Sequence, residues 1–165
     1  MMSRPSGKPY LLCAGLVALF GGLLHIAAIY GGPNWYAALG APDAIVHMVR
    51  AGSSYPAKVC LLIAALLFVC AAYACSGAGL LPRLPLLRTA LSLIAAALIV
   101  RGLSFIPLML LYPQALAGIC NCRGVDSLLL ITSALCLATG LAYAVGVRRL
   151  GRQCVTRAAK PNIYR

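Results

Sequence analysis

Thr89 to Tyr112 reads TALSLIAAALIVRGLSFIPLMLLY, an apolar run long enough to cross a bilayer that carries one arginine, Arg101, near its middle. A cation at that depth costs about 2.5–3.5 kcal/mol on insertion scales, so such residues generally face a protein interior or a polar cavity. Arg101 lies roughly 20 Å up the span from Arg88, at ~1.5 Å per residue. The chain's two acids, Asp43 and Asp126, both fall outside the apolar runs. The stretch therefore predicts a membrane helix whose arginine turns inward. Its expected partners are backbone carbonyls or groups of the 31–58 loop, with Asp43 as the first ionic candidate.

The rest of the chain has the same character. Of its 165 residues 62% are hydrophobic and 10% charged, where globular proteins run at roughly half and about a quarter. Little is left for a soluble domain once the spans are removed, so one membrane domain, 1–165, is expected. The net charge of +12 comes from 14 Lys and Arg against two Asp, and all of the basic residues but Arg101 flank the apolar runs. That placement argues against a nucleic-acid surface and for lipid.

Four spans are expected, at about 10–30, 59–81, 89–112 and 127–147, followed by a basic tail over 148–165. Gly31-Gly32-Pro33 stops the first span. Trp35 and Tyr36 then fall where an aromatic belt belongs. In the loop that follows, Pro42 to Arg50 predicts a short amphipathic helix with proline in its first turn. Ile45, Met48 and Val49 are expected on its inward face, with Asp43, His47 and Arg50 on the other. Tyr73 to Gly79, YACSGAG, supplies small residues for close helix approach. In the third span Gly102 and Pro107 are expected kink points. Counting basic residues puts ten with the two termini and the 82–88 turn, and three (Arg50, Lys58 and Arg123) on the other side. Both termini are therefore expected in the cytoplasm, with the amphipathic helix in the first extracytoplasmic loop.

Candidate ligand-binding residues are Arg101, His25, Asp43, His47 and Arg50. An intramembrane cation suits an anion, a lipid headgroup or a carbonyl ligand, or else serves as a clamp on backbone carbonyls. His25, in the outer half of the first span, suits an interhelical hydrogen bond. Asp43 and His47, four apart, can orient an imidazole, but no nucleophile stands at a defined position beside them. Two histidines on separate elements make a poor haem pair, and Cys120-x-Cys122 lacks a second cysteine pair to complete a zinc site. No metal or cofactor is expected. The basic tail suits anionic lipid, at about 1 kcal/mol per basic residue near the surface.

The segments GGPNWYAALGAP, YPAK, YACSGAG, RLPLLR and VRGL, in this order between Gly31 and Leu103, resemble an uncharacterised group of small four-helix bacterial inner-membrane proteins. The resemblance implies an all-α, integral membrane four-helix bundle with a structured outer loop, and brings no activity with it. From the residues, the leading expectation is a non-enzymatic accessory or interaction protein, with a protein partner or a homo-oligomer. One alternative is a small oligomeric transporter or channel that uses Arg101 for an anion or lipid. The other is a membrane redox or lipid-modifying enzyme built on His25, His47 or the CxC pair.

Overall fold

The computed structural model describes residues 7–104 and 127–158, and among these the chain is all α-helix. Six helices follow in order: α1 Lys8–Gly31, α2 Pro33–Ala38, α3 Asp43–Arg50, α4 Tyr55–Ala78, α5 Leu87–Leu103 and α6 Ser127–Ala158. Helices α1 and α4, and the Leu130–Gly151 part of α6, are long and apolar enough to cross a membrane.

Local signals account for the boundaries. Prolines in the first turns of α1 and α4 lack an N–H that would be unpaired there anyway. Helix α4 starts at Tyr55, four residues before the expected Val59, within the polar sequence. Gly32, at φ +69°, turns the chain between α1 and α2. Gly79, at φ +85°, closes α4 in the left-handed region and ends it at Ala78 rather than Leu81. The chain then folds back over Ser76, whose hydroxyl donates to the Pro82 carbonyl (2.8 Å) and accepts from the Leu84 N–H (3.1 Å).

Helix α5 stops at Leu103, where the Ser104 hydroxyl donates to the Arg101 carbonyl. The rest of the expected 89–112 span, with Pro107, Cys120, Cys122 and Asp126, lies outside the described residues. Gly102 lies in close contact with Ser133 and Leu137 of α6. Helix α6 runs past the expected end at Val147 to Ala158, so the first part of the basic tail is helical.

Packing inverts the usual size order. The buried positions are mostly small: Ala14 and Ala18 on α1, Ala64, Ala71, Ala74 and Ala78 on α4, and Ala95 on α5. Leucines and phenylalanine, among them Leu16, Phe20, Leu62, Leu66 and Leu93, point outward. This is the pattern of helices held by close contact in a solvent as apolar as themselves. Helix α1 packs chiefly on α4, and α5 on α6, with α1 also against α6. The four long helices meet at one end. There the fully buried Leu11 enters a slot between Gly77 of α4 and Gly146 of α6, and Leu91 covers Gly77 from α5. Because Lys8, Arg83, Arg88, Arg148 and Arg149 lie at this end, it is called the basic end below.

Leu86, just before α5, sits at φ +52°, a left-handed conformation that an L side chain adopts at a cost. It is 79% exposed, so its side chain contributes little there. Leu86→Asn should raise stability by about 1 kcal/mol, read as a higher thermal midpoint in detergent.

Candidate functional site

Opposite the basic end, α2 and α3 form a cap. Ala28 of α1, Tyr36 of α2 and Val46 of α3 make a small core, with Ile45, Val49 and Cys60 packed against it. The inward face of α3 is thus Ile45, Val46 and Val49. Met48, expected inward, is 41% exposed, because the turn from Val46 to Met48 carries it away from that face. Pro42 precedes α3 as its N-cap rather than standing in its first turn. Asp43, His47 and Arg50 are all exposed, together on the outer surface as expected. Charge at Val46 should therefore open the cap, whereas charge at Met48 should be tolerated. The check is limited proteolysis of Val46→Lys and Met48→Lys within the 39–54 segment.

Of the two aromatic residues expected in a belt, Trp35 is half exposed while Tyr36 is only 4% exposed. Burial, reinforced by a hydrogen bond and charge interaction with the Cys60 thiol, pushes the Tyr36 hydroxyl up to about 12 from its ordinary value near 10. The folded state favours the neutral phenol, so its contribution is intact below pH ~10 and is lost as pH rises through about 12. The cap should loosen in that window, followed by tyrosinate absorbance and by proteolysis. Tyr36→Phe should remove this pH dependence.

His25 does not bridge helices. Its Nδ1 donates to the Gly21 carbonyl one turn back (2.8 Å). The polar bridge between helices comes instead from a residue the sequence reading passed over. Tyr143 of α6 is fully buried, and its hydroxyl donates to the Cys70 carbonyl of α4 at 2.9 Å. The available signal was a tyrosine inside an apolar span, since a buried phenol needs a partner. At the basic end the Arg149 guanidinium lies 4.5 Å from the Tyr10 ring centroid, a cation–π contact between α6 and α1.

Arg101 does not turn inward as expected. It stands in the last turn of α5 and is exposed, not interior. Asp43 is not its partner, because α3 packs on α2 and α4 rather than on α5. Leu11 and Leu91 share Gly77, and Arg101 lies about 15 Å beyond Leu91, while α1 continues for about 30 Å beyond Leu11. Arg101 is therefore level with the middle of α1, on the outer surface of the bundle. Among the described residues, no three His, Cys, Asp or Glu side chains come together as metal ligands. The candidates fall in three places: His25 within α1, the outer surface of α3, and the outer surface of α5.

No family model, curated protein or solved structure matches this chain.

Proposed function

We propose that this chain is a non-enzymatic, multi-pass protein of a bacterial inner membrane that serves as an accessory or interaction subunit. This agrees with the small four-helix group its motifs resemble. In this reading α5 begins the third of four spans, both termini are cytoplasmic, and the basic end meets anionic lipid. The supporting observation is the division of polar groups. Those inside the bundle fasten it, as Tyr143 does to Cys70 and Ser76 to the 82–84 turn, while the Arg101 charge faces outward.

Two measurements test the reading. Reporter fusions after Arg88 and Arg165 should behave as cytoplasmic, and one after Lys58 should not. A periplasmic reporter at Arg165 would overturn the topology. Released from native-membrane nanodiscs into a mass spectrometer, the chain should appear in a discrete complex with another protein. A lone monomer that carries out turnover or flux in vesicles would overturn the interaction role.

A further inference from the structure

We infer that the outer face of α5 docks a transmembrane helix of a different protein, and that this helix carries a carboxylate at mid-bilayer depth paired with Arg101. The inference rests on the interaction role proposed above and names the class of partner. Ser92, Leu93, Ala96, Ala97, Val100 and Arg101 are all exposed on α5, so one side of this helix is left without a neighbour from the described chain. Small side chains at Ser92, Ala96 and Ala97 let a second helix approach closely.

Charge decides what that second helix is. Arg101 stands about 15 Å from the level of Leu91 and, in the four-span reading, near the bilayer middle, beyond easy snorkelling to either surface. In that reading lipid headgroups lie farther off, which makes protein the nearer source of a compensating group. A second copy brings the same sequence, which has only Asp43 and Asp126 and no acid within any apolar run. A helix from another chain, with one Asp or Glu at its centre, supplies the missing charge. Intramembrane ionisable groups characteristically pair in this way.

The test uses the full chain in phosphatidylcholine vesicles. The probes are labelled synthetic Leu/Ala transmembrane peptides that carry Glu, Gln or Leu at the central position. Energy transfer should show the Glu peptide associating at least tenfold more tightly than the other two. Arg101→Leu should reduce the Glu peptide to the level of the Leu peptide, and Arg101→Lys should keep part of the preference. Ala96→Phe retains the cation but fills the small-residue face, and should also weaken association. It keeps the test decisive if Arg101→Leu fails to fold. Equal binding of the three peptides, or unchanged binding by both Arg101→Leu and Ala96→Phe, overturns the proposal. Self-association of two labelled copies that Ala96→Phe abolishes would assign the face to a second copy instead. Glu-peptide association that appears only in Asp126→Asn would mean the chain's own acid occupies Arg101. If the nanodisc complex survives Arg101→Leu and Ala96→Phe, this inference fails while the interaction role stands. If the wild type forms no complex, the role itself fails.

Discussion

Alanine at Gly102 should lower the thermal midpoint by several degrees, on the order of 2 kcal/mol. A Cβ there would lie 2.9 Å from the Leu137 Cβ, the Leu137 backbone nitrogen and the Ser133 carbonyl oxygen. Two of those three atoms are backbone, so relief requires α5 and α6 to separate rather than a side chain to rotate. Gly140 is the counterpart on α6, where a Cβ would lie 3.0 Å from the Ile99 nitrogen and 3.1 Å from the Ala95 oxygen. Gly140→Ala should therefore show a similar loss. Gly21→Ala is the control. Its Cβ would meet only the end of the Leu67 side chain at 3.4 Å, and alanine favours the helix, so its midpoint should hold or rise. Equal losses at all three positions would mean that close approach of α5 and α6 is not what these glycines provide.

Truncating Tyr143 should be the most damaging single change, with Tyr143→Ala costing about 3–5 kcal/mol. The side chain is fully buried in the core that joins α1, α4, α5 and α6, so its removal leaves a cavity where all four meet. Tyr143→Phe separates the hydrogen bond from the packing. It keeps the ring, and the Cys70 carbonyl keeps the N–H of its own helix, so the expected cost is only about 0.5–1 kcal/mol. Thermal unfolding of the two variants in the same detergent checks the split. A Phe variant as unstable as the Ala variant would show that the phenol, rather than the ring, holds α6 to α4.

Much of the candidate site was legible only in part. The depth of Arg101 could be counted along the chain, because rise per residue is fixed once a helix is assumed. Its direction could not, and the inward expectation was wrong. That expectation assumed the chain itself must satisfy the charge. His25 went the same way: a carbonyl one turn back in α1 was a nearer partner than any neighbouring helix. On α3 the polar stripe Asp43, His47 and Arg50 was readable, since charge placement is a strong periodic signal. The choice of Val46 over Met48 on the inward side was not, because both are apolar and only the position of Ala28 and Tyr36 decides between them.

The sequence by itself determined that the chain is helical, where the apolar runs lie, and that small residues gather at the end of α4. It did so through hydropathy, proline and glycine, which act locally. Tertiary structure alone decided which side of each helix faces its neighbours. Helices α1, α4 and α5 are apolar on nearly every side, so hydrophobicity gives no direction, and burial is settled by which surfaces can approach closely. Gly15 against Ala74, Gly22 beneath the Phe68 ring, and Gly102 against Leu137 mark those surfaces. Each depends on a residue far along the chain, so shape matching between helices, rather than avoidance of water, turned Arg101 outward.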